Sequence, residues 1–185
     1  VYVQDGYLRL LDVGSGQTKK LAVTLPSDRW RLRERWIDAR DFIHDMDVAN
    51  DGRNVLLEAR GDVFLLPVKK GSARNLTRTP GSREIHPRLS PDGQWLAFFS
   101  DKSGEYQLYM ARVDGGEWVQ LTRDLDRAVY RLAWSPDGKK ILFGNKDLAV
   151  FYCDVATKQR VKIDEVNQLK NDEFTWEIDD YSWSP

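Results

Sequence analysis

The sequence is poor in the residues on which metal centres, disulfide scaffolds and membrane spans depend. It has one cysteine and two histidines in 185 residues, so it holds neither a disulfide framework nor paired cysteines for zinc. No apolar run approaches the roughly 18 residues that cross a bilayer. The formal net charge of -1 predicts no field strong enough to attract nucleic acid. We therefore expect a soluble chain with neither a membrane nor a nucleic acid as partner.

The chain also lacks the short motifs that carry catalysis. It has no Gly-x-Ser-x-Gly elbow, no phosphate-binding Walker loop and no His-Glu-x-x-His zinc motif. Asp45, Asp47 and Asp51 resemble a calcium loop only loosely, because Ala49 stands where an oxygen ligand belongs. We assign no catalytic residue, no metal ligand and no cofactor to this segment.

The few residues with reactive side chains favour structural roles. His44 and His86 each lie near the start of a predicted inner strand, where a hydrogen-bonded structural histidine is the preferred interpretation. A general base is the alternative, but it requires a nucleophile beside it, and the sequence offers no matched one. Cys153 lies inside a predicted strand and is expected to be a small buried side chain rather than a reactive thiol.

The chain is rich in one turn motif. Ser-Pro-Asp-Gly at residues 90–93 recurs at 135–138, a weaker Ala-Asn-Asp-Gly stands at 49–52, and the sequence stops at Ser184-Pro185. The Asp-Gly pairs are 41 and then 45 residues apart, which is the period of a propeller blade. Proline suits the second position of a type I turn, and glycine takes the left-handed conformation that follows. Each copy is therefore predicted to join two antiparallel strands.

A second hairpin follows each first one, so the sequence predicts an all-β chain of four-stranded antiparallel propeller blades. Residues 1–25 supply only the second hairpin of a blade and residues 180–183 only a first strand, which predicts an incomplete ring. Closing such a ring would leave exposed strand edges, and we expect a piece of a larger protein. Eight side chains recur at matching places and are predicted to pack between blades: Trp95, Phe98, Leu108, Trp134, Ile141, Phe143, Phe151 and Trp183.

The repeat breaks at a basic stretch, where arginines alternate with mostly apolar residues: Arg29, Arg31, Arg33 and Arg35. One interpretation is a solvated strand face that keeps other strands from pairing there. The other is a binding face, because four guanidinium groups hold carboxylates bidentately, for example the C-terminus of a peptide. Phosphate contact is the poorer version of that second interpretation, since the surrounding chain is neutral and no aromatic stacking surface accompanies the arginines.

The string from Glu58 to Tyr109 resembles the propeller region of tricorn-type proteases. It includes Arg-Gly-Asp-Val-Phe-Leu-Leu-Pro-Val at 60–68, Arg-Asn-Leu-Thr-Arg-Thr-Pro-Gly at 74–81 and Ser-Asp-Lys-Ser-Gly-Glu-Tyr at 100–106. The Ser-Pro-Asp-Gly motif alone is less specific, because TolB proteins and relatives of prolyl oligopeptidase share it. The resemblance extends over essentially the whole chain.

This resemblance implies a six-bladed and a seven-bladed propeller ahead of a PDZ domain and a serine-protease core. Residues 1–40 would then close the first propeller and connect it to the second, and residues 41–185 would form the opening blades of the second. None of the family's catalytic positions falls in this region. The implied role is noncatalytic: the segment guides or filters peptides on their way to a protease core elsewhere in the parent, which would itself be an enzyme.

The resemblance also implies partners and a location. The implied partners are peptides, the rest of the parent chain and further copies of the parent in a homo-oligomer. The implied location is the cytoplasm, and a periplasmic or secreted parent is the alternative. Outside that family, the alternative is a TolB-like propeller that docks a protein partner. A PDZ-like stretch and a protease core in the parent sequence would favour the first function.

Overall fold

The computed structural model describes residues 1–4, 7–24, 38–126, 128–165 and 181–184. Backbone contacts divide the chain into two units, Val1–Ile37 and Asp38–Pro185. No helix among the described residues is long and apolar enough to cross a membrane. The assignment of residues 1–40 and 41–185 to two different propellers stays a prediction.

The described part of the first unit is a three-stranded antiparallel sheet in the order β1-β2-β3. Its strands are β1 (Tyr2–Gln4), β2 (Tyr7–Leu11) and β3 (Thr18–Lys20). The sequence predicted only the β2–β3 hairpin within residues 1–25, and that count was wrong by one strand. β1 is three residues long, and the Asp5-Gly6 pair that precedes β2 is a hairpin signal that the prediction from the repeat did not use.

The second unit begins with a 3₁₀ turn at Arg40–Phe42 and continues with three four-stranded antiparallel sheets. Each sheet is a meander, in which every strand pairs with the strand that follows it. Blade 1 consists of β4 (Ile43–Val48), β5 (Asn54–Ala59), β6 (Asp62–Pro67) and β7 (Arg74–Asn75). Blade 2 consists of β8 (Glu84–Leu89), β9 (Trp95–Ser100), β10 (Gln107–Arg112) and β11 (Val119–Gln120). Blade 3 consists of β12 (Val129–Trp134), β13 (Lys140–Asn145), β14 (Ala149–Asp154) and β15 (Arg160–Glu165).

The repeated turn motif has the predicted conformation in all three copies. Gly52, Gly93 and Gly138 have φ of 66, 69 and 68°. In the second copy the Gly93 N–H donates to the Ser90 carbonyl at 2.8 Å, and the third copy repeats this bond between Gly138 and Ser135. Each motif therefore closes the hairpin between the first and second strands of its blade.

The three blades of the second unit fan out from their first strands. β8 contacts both β4 and β12, whereas the outermost strands β7, β11 and β15 make no comparable contact with one another. Sheets that converge at their first strands and diverge at their fourth have the arrangement of propeller blades around a channel. The predicted fold class, an all-β propeller segment of four-stranded antiparallel blades, is confirmed.

Blade 2 is buried on both faces. Phe98 and Phe99 are consecutive in β9, so their side chains point to opposite faces, and both are fully buried. Phe98 lies in an apolar cluster with Leu56 of blade 1. Phe99 packs against Phe143 of blade 3, with ring centroids 5.6 Å apart.

The eight side chains predicted to lie between blades divide into two groups. Phe98, Leu108, Ile141, Phe143 and Phe151 are buried in the two apolar clusters. The three tryptophans are partly buried, and two of them hydrogen-bond to a neighbouring blade or strand. The Trp134 indole N–H donates to the Arg88 carbonyl at 3.1 Å, and that of Trp183 donates to the Ala133 carbonyl, also at 3.1 Å.

A first prediction isolates the cost of the turn conformation. Replacing Gly93 by valine is expected to lower the free energy of unfolding by about 1 kcal/mol or more, because a β-branched residue is strained at positive φ. No heavy atom lies within 4 Å of a Cβ built on Gly93, so a clash would not explain the loss. Urea unfolding of Gly93→Val and of Gly81→Val gives the comparison, since Gly81 is equally open but has no positive φ. Equal losses in both variants would contradict the prediction.

Candidate functional site

A group of partly buried charged side chains lies where the first strands of blades 1 and 2 meet. Asp45 of β4 accepts hydrogen bonds at Oδ2 from Arg88 Nη1 of β8, at 2.8 Å, and lies 3.2 Å from His86 Nδ1 of the same strand. These side chains are only partly exposed, at 20% for Asp45, 29% for His86 and 22% for Arg88. The contact joins two blades at the edge that faces the channel.

A β-bulge places His86 in this position. The pairing of β8 with β9 shifts register between Ile85 and Arg88, and His86 has φ of 53°. β12 shifts register in the same way, with Arg131 at φ of 39°. Bulges redirect a side chain out of the regular alternation of a strand, and histidine tolerates the left-handed region better than most residues. The bulge thus turns His86 toward blade 1.

A second carboxylate completes the group from the adjoining strand. Glu58 of β5 is 2% exposed, and its Oε2 accepts the backbone N–H of His86 at 3.1 Å. Its Oε1 lies 3.6 Å from Arg83 Nη2. A buried carboxylate is stable only with such partners, so Glu58 ties the bulge of blade 2 to the centre of blade 1.

The electrostatics keep Asp45 ionised. Burial by itself would raise the pKa of Asp45, but the hydrogen bonds from His86 and Arg88 and the charge of Arg88 lower that pKa to about 2. Asp47, two residues along β4, has a pKa raised by burial, although its Oδ2 accepts the Leu89 N–H at 2.8 Å. The pKa values of these two carboxylates of β4 are thus shifted in opposite directions.

Ligand atoms of Asp45, Glu58 and His86 lie within 4.8 Å of one another, a separation that a metal ion would allow. However, a guanidinium group already faces each carboxylate, Arg88 at Asp45 and Arg83 at Glu58. A divalent cation would have to displace or approach those positive charges. The arrangement is therefore better described as an inter-blade ion-pair network than as a metal centre.

The network has no partner for nucleophilic catalysis. No hydroxyl or thiol among the described residues forms a hydrogen bond with the ring of His86, whose Nδ1 is engaged with Asp45. His44 is exposed at the start of β4. The Cys153 side chain is fully buried, and burial raises its pKa to about 11, so the thiol stays protonated. The contacts of His86 agree with the structural role that the sequence favoured, and the burial of Cys153 agrees with its expected role, whereas the structural role of His44 stays a prediction.

The basic stretch lies within residues 25–37, none of which is among the described residues. Arg29, Arg31, Arg33 and Arg35 lie outside the described residues. Their role in binding carboxylates stays a prediction.

Sequence reasoning did not find the network, although a signal for it exists. Asp45 and His86 are 41 residues apart, the same distance that separates the Asp-Gly pairs of the first two turn motifs. They therefore occupy equivalent positions in successive blades, and the next equivalent position is Arg131. Because equivalent positions of neighbouring first strands lie at the same level, this spacing would have predicted a contact between the Asp45 carboxylate and the His86 ring.

The comparisons of the sequence with known proteins point to tricorn proteases. Residues 42–174 match the sequence profile of the tricorn protease N-terminal beta propeller domain. A tricorn protease homolog of Saccharolobus solfataricus is 26% identical over 176 residues, which cover 95% of this chain and 16% of that protein. Tricorn protease homolog 1 of Streptomyces coelicolor is 27% identical over 154 residues, covering 80% of this chain and 14% of that protein. The chain thus spans less than a fifth of the length of these relatives.

Among solved structures, the crystal structure of TolB from Acinetobacter baumannii is similar with a TM-score of 0.55. The match covers 88% of this chain and 39% of TolB, at 18% sequence identity. At that identity the likeness shows the propeller fold alone.

A second prediction concerns the pH dependence of stability. Because the folded pKa of Asp45 lies below its unfolded value, the network stabilises the fold above pH 4, and this contribution is lost as the pH falls from about 4 to 2. Asp45→Asn is expected to lower the free energy of unfolding at neutral pH by about 2 kcal/mol. The variant should also lose less stability than the wild type between pH 4 and 2.

The control for this prediction is Asp41→Asn, since Asp41 is exposed and lies in the 3₁₀ turn before β4. Urea unfolding at a series of pH values checks all three proteins. If Asp45→Asn followed the wild-type pH profile in parallel, the network would not be a source of acid sensitivity.

Proposed function

Because the chain belongs to the family of tricorn protease N-terminal β-propeller domains, we propose that it is a noncatalytic propeller segment of a tricorn-like serine protease. In this role the blades guide or filter peptides toward a protease core elsewhere in the full protein. Cleavage then takes place outside the segment, which makes the parent, not these blades, a serine endopeptidase.

The observation that carries this proposal is the charged inner wall. Asp45, His86 and Arg88 lie on first strands, at the edge of the blades where a propeller has its channel. Each side chain is held by its neighbours and still partly exposed. Such a wall offers hydrogen-bond donors and acceptors to a passing peptide backbone but brings no nucleophile to it, which supports passage rather than reaction.

Further parts of the proposal rest on the family alone. The parent would carry a PDZ domain and a protease core and would assemble as a homo-oligomer. We place it in the cytoplasm, with a periplasmic or secreted protein as the alternative. Its partners would be peptides, and neither nucleic acid nor a membrane is among them.

The arginines of the basic stretch are the proposed contact for peptide carboxylates. Four guanidinium groups at alternate positions would present planar, charge-assisted donors to a free C-terminus. Arg29, Arg31, Arg33 and Arg35 serve this role in the proposal, with a solvated face as the alternative.

A docking module is the second candidate function, as in a TolB-like propeller that binds a protein partner. The lack of a nucleophile beside His86 among the described residues suits this function equally well. The parent sequence separates the two. A PDZ-like stretch and a protease core would support the first function, and a single closed ring without them would support the second.

A third prediction tests the role in peptide handling with the full-length protein. A variant with Arg29, Arg31, Arg33 and Arg35 changed to glutamine is expected to lose about tenfold in kcat/KM on peptides with a free C-terminus. The loss corresponds to about one charge-assisted hydrogen bond. Peptides with an amidated C-terminus should be affected much less.

The matched control removes four positive charges from exposed turns of blades 1 and 3: Lys69, Lys70, Lys139 and Lys146, each changed to glutamine. It should leave turnover of both substrates unchanged. Equal losses on free and amidated substrates, or no loss in the arginine variant, would leave the basic stretch as a solvated face.

A further inference from the structure

The outer edge of blade 2 presents unused backbone hydrogen-bonding groups. In the β10–β11 pair, Tyr109 lies opposite Gln120, and the next residue, Leu121, donates its N–H inward to the Leu108 carbonyl at 2.8 Å. Alternate residues of an antiparallel edge strand point their backbone groups inward and outward. The N–H and the carbonyl of Gln120 therefore point away from the sheet, where a further strand would pair.

A groove of about 800 Å³ runs along this edge. Its floor includes the whole of residues 116–120, and three cations from two blades line it: Lys102, Arg123 and Lys158. None of the three forms an ion pair with a described residue, and Glu117 is the one acid among the lining residues. The lining residues of the groove therefore carry a net charge of +2, in a chain whose formal net charge is -1.

The aromatic wall of the groove also has a free polar group. Tyr109 is 6% exposed and lines the groove, yet no described residue forms a hydrogen bond with its hydroxyl. Trp118 holds the ring of Tyr109 in place, with centroids 6.0 Å apart, and carries the Lys102 ammonium over its own face at 4.8 Å. The Tyr109 hydroxyl is not among the fully buried atoms that lack a partner, so it reaches the solvent of the groove and is available to a ligand there.

We propose that this groove binds an extended acidic segment of another polypeptide, which adds to β11 as a fifth strand of blade 2. Its backbone pairs with the outward N–H and carbonyl of Gln120. Its carboxylates lie against Lys102, Arg123 and Lys158, and one of its polar groups pairs with the Tyr109 hydroxyl. This site is on the outside of the propeller, so it is separate from the channel of the proposed function.

The charge pattern selects β11 over the other two outer strands. β15 is longer, with six residues, but of its two cations Arg160 is already bonded to Asp124 at 2.6 Å and Lys162 is not free either. β7 has two residues, as β11 does, but its own cation Arg74 donates to the Val113 carbonyl of blade 2 at 2.8 Å. Only beside β11 do the described residues combine a free edge with unpaired cations.

Fluorescence anisotropy with the full-length protein tests the proposal. The probe is a labelled peptide of about ten residues that alternates glutamate with valine. A second peptide has lysine in place of glutamate, and a third keeps the glutamates but is N-methylated at alternate amides, which blocks strand pairing and leaves the charge. The first peptide should bind, and each of the other two should bind at least tenfold more weakly.

Protein variants locate the site. Arg123→Gln combined with Lys158→Gln is expected to weaken binding of the first peptide about tenfold and to reduce its salt dependence. Gln120→Pro is expected to weaken it about fivefold, since proline removes only an outward N–H and is tolerated on edge strands. Lys70→Gln combined with Lys146→Gln is the matched control, because both lysines are exposed and outside the groove, and it should bind as the wild type does.

Three results would overturn the proposal. They are equal binding of the N-methylated peptide, wild-type affinity of the Arg123 and Lys158 variant, or equal weakening in the lysine control. If Gln120→Pro does not fold, the comparison of the two glutamate peptides on the wild-type protein answers the same question about strand pairing.

Discussion

The structure of the second unit depends on the burial of one sheet from both sides. Phe98 and Phe99 are neighbours in β9, and each is fully buried against a different blade. A slip of one residue in the pairing of β9 would turn each of its side chains to the opposite face of the sheet, so neither apolar cluster would keep its phenylalanine. The two-sided core therefore fixes the register of blade 2, and with it the level at which β8 meets β4. The contact between Asp45 and His86 follows from that register.

Backbone irregularity is the second device that joins the blades. His86 and Arg131 are 45 residues apart and both have positive φ at a register shift of a first strand. In β12 this bulge leaves the carbonyls of Tyr130 and Arg131 to accept the Tyr181 hydroxyl at 2.8 and 2.6 Å. In a strand that only alternated, two consecutive carbonyls would point in opposite directions and could not both face the same hydroxyl. The bulges thus link β8 to β4 through His86, and β12 to the segment that contains Tyr181.

The sequence predicted what local chemistry determines and missed what depends on the meeting of two repeats. The turn glycines, the four strands of each blade and the buried aromatic positions follow from motifs and alternation, because one hairpin decides them. The Asp45–His86–Arg88 contact joins residues about 41 apart and depends on a bulge that no residue type announces. The groove beside β11 is harder still, since its cations come from turns of different blades and the edge strand has only two residues.

The two charged surfaces differ in how much charge remains for a ligand. In the inner network Arg88 is already bonded to Asp45, and Glu58 faces Arg83, so a peptide that recruited these groups would first have to break existing pairs. That cost keeps affinity for a passing chain low, which suits the guiding role we propose for the channel wall. The cations beside β11 form no ion pair with a described residue, so a ligand there has no existing ion pair to break. The groove beside β11 would then retain an acidic segment, and the channel wall would let a peptide pass. The difference would follow from whether the charges are already paired rather than from how many there are.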